Sequence, residues 1–351
     1  MIFNRITLTL FISIIVIQCG YNKREFRSFR FTYEVEIEPT NKDKMEVWIP
    51  LPQSNEVQEI TNLNIDAKDL NFLKKKESIH GNDYLYVYSD TGISKKSEIL
   101  IEFDVKRYEH KNVIYKNVNH NEYLSSYITV PIGSIFNSII KKNDLTKDNV
   151  KEIYNFVLNG MHYGKPKSVD NEYYNDPWLS KDGEYGIRKV DRDVVVSMFQ
   201  TAKKEDGNFT FGHGNSLYAC NIGVGNCTDY HSYFMSLGRT MGIPVRFHMG
   251  FSIPNASEGR VGGYHCWADY YIDGEGWYPV DISEADKDPD KSEYYFGTAC
   301  ENRVEMVVGR DFILENYDHG PVNIFIYPLL EVADQKSNAL SKSFRYKEIN
   351  I

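Results

Sequence analysis

The sequence predicts an α+β chain: a β-sandwich comes first, and a mixed core follows in which helices precede an antiparallel sheet. Three observations carry this. Short runs with a two-residue apolar period crowd residues 26–110. Beyond about residue 130 the apolar spacing lengthens to that of helices. From Val245 onward strand alternation returns. Strands, then helices, then strands again is the order expected of an α+β fold.

Taken in order, residues 28–38 alternate Phe29, Phe31, Tyr33, Val35 and Ile37 with polar neighbours, which marks a strand with one buried face. A second strand at 45–49 is stopped by Pro50 and Pro52, and 84–88 and 98–107 supply two more. The polar stretch 109–122 leads to helices expected at 132–142 and 146–160. In the second helix Thr146 is the expected N-cap, Ile153, Phe156 and Val157 share a face, and Gly160 ends it. Residues 164–210 are rich in Gly, Asp, Lys and Asn around an apolar patch at 194–199. They read as a surface insertion or a substrate-shaping loop. A helix is expected over 227–241, capped by Gly242 and closed by Pro244. Strands follow at 245–251, 263–272 and 277–282, with a late one at 323–332. The resulting division is a leader at 1–18, a β-sandwich at 19–120, a core domain at 121–335 and a tail at 336–351.

The leader has one charge, Arg5, followed by a mostly apolar run from 6 to 17. That run is short for a membrane span and has the length of a secretory h-region. It ends in Val16-Ile17-Gln18-Cys19 and resembles a bacterial lipoprotein signal, which implies lipid on Cys19 and a protein exported to the cell envelope. Hydrophobic residues at 42% and charged residues at 25% exclude a wholly disordered or collagen-like chain. Lys and Arg total 40 against 49 Asp and Glu, and the formal charge of −9 argues against nucleic acid as a partner.

Three segments carry chemistry. In Gly223-Val224-Gly225-Asn226-Cys227-Thr228-Asp229 the cysteine opens a predicted helix. The first N–H groups and the dipole of a helix favour thiolate over thiol. In Gly263-Tyr264-His265-Cys266-Trp267 the histidine lies on a strand and shares a face with Trp267. An imidazole beside a thiol takes its proton and then stabilises the thiolate. In Gly276-Trp277-Tyr278-Pro279-Val280-Asp281 the carboxylate ends a short strand, where it can orient an imidazole. Glu284 and Asp286 compete for that role.

The order Cys227, His265, Asp281 and the intervening Gly242-Ile243-Pro244-Val245-Arg246 resemble the transglutaminase-like superfamily of papain-like thiol enzymes. The resemblance covers about 145–285, with a weaker echo over 296–331. The amino-terminal sandwich resembles the β-domain that precedes this core in bacterial members. It implies Cys227 as nucleophile, His265 as general base and acid, and Asp281 as orienter. The implied oxyanion hole pairs the Cys227 N–H with one side chain: Asn221, with Asn226 and Tyr163 as rivals. Implied substrates are amide bonds of peptides or proteins, including cell-wall peptide stems, with hydrolysis or transfer to an amine left open and no cofactor needed. The competing reading is a non-catalytic binding or assembly lipoprotein that keeps the fold.

Other readings of the same residues rank lower. His231, one helical turn after Cys227, is an alternative base. Cys227, His231, His265 and Cys266 lack the tight pairs that zinc favours. Asp286-Lys287-Asp288-Pro289-Asp290 lacks the central Gly and closing Glu of a calcium loop. Arg239, Arg246 and Arg260 could form a carboxylate pocket but fit ion pairs better, and pairing among Cys220, Cys266 and Cys300 is left open.

Overall fold

The computed structural model describes residues 26–163, 184–185, 190–191 and 211–350. The expected leader, Cys19 and most of the insertion at 164–210 lie outside the described residues. Six strands come first: β1 (Phe26–Ile37), β2 (Met45–Pro50), β3 (Gln58–Asp66), β4 (Asn71–Lys76), β5 (Asp83–Ser89) and β6 (Ser97–Tyr108). Among the described residues four α-helices follow: α1 (Ile135–Lys142), α2 (Val150–Gly160), α3 (Ser216–Ile222) and α4 (Cys227–Thr240). Then come β7 (Val245–Ser252), β8 (Glu258–Arg260), β9 (His265–Ile272), β10 (Gly276–Val280), α5 (Ile282–Lys287) and α6 (Ser292–Tyr295). The chain closes with β11 (Arg303–Val308), β12 (Leu329–Val332), β13 (Gln335–Ser337) and β14 (Leu340–Glu348). The fold is α+β, with antiparallel sheets throughout its main layers.

Two five-stranded sheets hold the amino-terminal region, in the orders β8-β14-β1-β6-β3 and β13-β12-β2-β5-β4. The alternation read from β1 is realised: Phe29, Phe31, Tyr33, Val35 and Ile37 are fully buried. The third sheet, β10-β9-β7-β11, belongs to the core, and α4 packs against it through Phe234 and Tyr270. Phe251 of β7 sits among Phe31, Tyr33 and Phe344, with ring centroids at 5.2, 6.5 and 4.4 Å. Each such ring contributes roughly 1.5–3 kcal/mol when removed from water. The amino-terminal sheets and the core therefore share one apolar cluster.

Several elements differ from expectation. The segment expected as a tail supplies β14, which pairs with β1 from Phe29↔Glu348 to Ile37↔Leu340. Helix α2 starts at Val150 behind Asn149, not behind Thr146. The strand expected over 277–282 stops at Val280, because the Asp281 side chain caps α5 by accepting the Glu284 N–H. The late strand is confined to Leu329–Val332, just after Pro328, which has no N–H for a ladder. Among the described residues no disulfide forms, and no helix is long and apolar enough to cross a membrane.

Candidate active site

The start of α4 is fixed by its own sequence. Gly223 ends α3 in the left-handed region, at φ 67°, where a side chain would strain the backbone. Val224–Gly225 then runs parallel to His162–Tyr163. A Cβ at Gly225 would lie 2.6 Å from the Asp229 Cβ, so only glycine lets the chain pass so close to the helix. Asn226 caps α4 by accepting the Thr228 N–H at 2.9 Å. Asp229 closes a capping box on the Asn226 N–H at 3.1 Å and also accepts N–H groups from Gly212 (2.8 Å) and Gly214 (3.0 Å). Cys227 is thereby the first residue of α4, 2% exposed.

His265 opens β9, beside that helix start. Its Nε2 lies 2.7 Å from Asp281 Oδ2, and the ring is in hydrogen-bonding contact with the Cys227 thiol. With Nε2 on the carboxylate, Nδ1 is the nitrogen left for sulfur. Asp281 Oδ1 takes the Glu284 N–H and the Ser283 hydroxyl, both at 3.1 Å. Arg303 of β11 donates from Nη1 to Oδ2 at 3.3 Å. All four side chains are nearly out of water.

Electrostatics follows from that packing. A hydrogen bond from Cys266 and the neighbouring His265 hold the Cys227 thiol well below its ordinary value, against burial, which pushes it up. Burial pushes His265 down, but Asp281 and Cys227 outweigh it and hold the imidazole at about 10. Burial pushes the Asp281 carboxyl up, and His265, Arg303 and His231 more than offset this, so it stays ionised. These shifts favour the thiolate–imidazolium form of the pair, backed by a carboxylate.

His231 is also buried here, with both ring nitrogens engaged. Nδ1 donates to the Cys227 carbonyl at 2.7 Å and Nε2 accepts the Ile282 N–H at 3.0 Å. Burial lowers its proton affinity, so it is a neutral strut between the starts of α4 and α5 rather than a rival base. Asn221 is exposed near the end of α3. The amide of Asn226 reaches the Tyr264 hydroxyl at 3.3 Å. Tyr163 pairs with Gly225, and burial followed by the Cys227 charge holds its phenol protonated. Among the described residues no group of three or more His, Cys, Asp or Glu could hold a metal ion.

Residues 193–282 match the model of the transglutaminase-like superfamily. The chain carries a transglutaminase-like domain. Cys227, His265 and Asp281 all fall within the matched stretch. An uncharacterised protein of Haemophilus influenzae is 23% identical over 369 residues, covering 92% of this chain and 90% of that one. A solved structure from Cytophaga hutchinsonii, named as a candidate cysteine protease, superposes with a TM-score of 0.52 at 11% identity. It covers 93% of this chain and 94% of its own, so the transglutaminase-like core and the amino-terminal sheets recur there as a fold. The periplasmic domain of TgpA from Pseudomonas aeruginosa gives 0.33 at 12% identity over 75% of this chain and 90% of that one, too slight to bear on the fold.

Sequence reasoning reached Cys227, His265 and Asp281 and missed two neighbours. The Asn226–Asp229 capping box was readable as Asn-x-x-Asp ahead of a helix. Arg303 carried no signal, since nothing in sequence says that β11 lies beside β7 and so brings it to Asp281.

Proposed function

We propose that the chain is an exported thiol enzyme that cleaves or transfers amide acyl groups through a thioester on Cys227. The observation that carries this reading is Cys227 at a helix start in contact with His265, whose far nitrogen rests on Asp281 at 2.7 Å. In this mechanism the Cys227 thiolate attacks the amide carbonyl carbon. The developing oxyanion meets the Cys227 N–H and one side-chain donor, for which the Tyr163 phenol, near enough to feel the Cys227 charge, competes with Asn226 and the exposed Asn221. The His265 imidazolium protonates the departing amine, and the thioester remains. Water, activated by the now neutral imidazole, releases the acid, or an amine takes the acyl group. Substrates on this reading are peptides or proteins outside the cytoplasm, including cell-wall stems. The leader at 1–18 and Cys19 support export and a lipid anchor in the cell envelope.

The test is the rate of Cys227 alkylation by iodoacetamide against pH, read site by site by mass spectrometry. An ordinary thiol near 8.5 is under 1% thiolate at pH 6. We expect wild type to react rapidly there and His265→Ala to lose ~10²-fold. A wild-type Cys227 that reacts like a free thiol overturns the proposal.

A further inference from the structure

We propose that Arg303 is a positioning residue of this site, tuning the proton exchange between His265 and Cys227 through the charge of Asp281. This rests on the thiol-enzyme reading above. Arg303 is 2% exposed and donates to the Asp281 carboxylate that also holds His265. Its Nη1 and the His265 Nε2 converge on the same oxygen, Oδ2, at 3.3 and 2.7 Å. Its Nη2 donates to Cys300 Sγ at 3.5 Å, and its guanidinium lies over Trp267 at 4.8 Å. Trp267 in turn stacks near His265 at 6.1 Å. The cation is thus held by three contacts, to Asp281, Cys300 and Trp267.

A carboxylate alone behind an imidazole strengthens its hold on the proton. Acyl transfer needs that proton released to the leaving amine, so a carboxylate of full strength makes the imidazolium a poorer acid. A permanent cation on the shared oxygen offsets part of the Asp281 charge. Arg303 remains charged throughout the working range of pH, so its effect is constant rather than switched.

The other groups facing this pair are few. Cys227 and His231 come from α4, Cys266 from β9, Glu284 from α5 at 3.9 Å from His265 Nδ1, and Cys300 from beyond Arg303. The phenols of Tyr154, Tyr163 and Tyr295 also face Asp281, and burial keeps all three protonated. His231 is neutral, which leaves Arg303 as the permanent positive charge at Asp281.

The test extends the alkylation profile to high pH, where His265 loses its proton and Cys227 reactivity takes a second step. Arg303→Met and Arg303→Gln remove the charge, the second keeping an N–H donor, and Arg303→Lys keeps it. Initial rates are read at Cys227 alone, so labelling of Cys300 does not enter. In the neutral variants we expect the upper step to move up by about one pH unit, with the Lys variant close to wild type. Neutral variants that fold and titrate like wild type overturn the proposal. So does a chain that folds only with a cation at 303, because the role is then structural. Wild type without acid-shifted reactivity rejects the thiol-enzyme reading itself, a result distinct from either of these.

Discussion

His248 and His265 lie on neighbouring strands, β7 and β9, on either side of Trp267, with ring centroids 5.5 and 6.1 Å from it. Both are buried and both touch acids. They differ in what the second nitrogen meets. His248 has Glu305 Oε2 2.8 Å from Nδ1 and Asp269 Oδ2 3.1 Å from Nε2. Burial pushes it down, but the two carboxylates prevail and raise it. With a carboxylate near each nitrogen it holds its proton more firmly than a free imidazole, and Arg246 closes the cluster through two hydrogen bonds to Asp269. His265 has Asp281 on Nε2, while Nδ1 meets the Cys227 thiol with Glu284 no nearer than 3.9 Å, so its second nitrogen faces a group that trades protons. A histidine next to a carboxylate is therefore not a sign of chemistry by itself. The partner on the far nitrogen separates a proton carrier from a tie within the sheet.

The strongest way to break this comparison is Arg246→Met. It leaves Asp269 buried with less compensation, and the loss of one partner from a buried pair costs about 3–5 kcal/mol. We expect a large fall in Tm with Cys227 alkylation at pH 6 in the folded chain within twofold of wild type. Reactivity that falls in step with stability would merge the two clusters into one. A smaller effect sharpens the same point through pH. A histidine raised on folding stabilises fully below its unfolded value near 6.5, and that contribution disappears as pH rises through the folded value. The Tm advantage of wild type over His248→Gln should shrink from pH 6.5 upward. For His265 the same sign applies over a window from 6.5 to about 10. A His248 advantage that grows with pH contradicts the raised proton affinity of this histidine. The smallest effect is at the cap: Asn226→Ala costs about 1 kcal/mol by denaturant melt, read together with a slower Cys227 reaction at pH 6.

Much of this architecture was legible because burial leaves a pattern. The alternation in β1, the cap and stop of α4, and the spacing of Cys227, His265 and Asp281 all survived translation into structure. Strands β3 and β4 were missed because their side chains are mostly exposed or half-exposed, so no apolar period marks them. Strand β11 was missed for the opposite reason. It is buried almost throughout yet contains Arg303 and Glu305, whose partners come from elsewhere in the sequence. Thr146 had the right chemistry for a cap, but the helix begins four residues later. Local sequence specifies which residues can cap or alternate. It does not specify which long-range partner neutralises a buried charge, and that information decides Arg303, His231 and His248.

The pairing of β14 with β1 has a consequence in time. The middle strand of the first sheet is made well before its partner, Leu340–Glu348. Until those residues arrive, β1 has one edge unpaired, and a contact spanning some three hundred positions has yet to form. Long-range closure of this kind slows folding and delays commitment. A sheet that must wait for so distant a strand before it can close stays open longer, and in that interval the free edge of β1 is exposed to pairing with other chains.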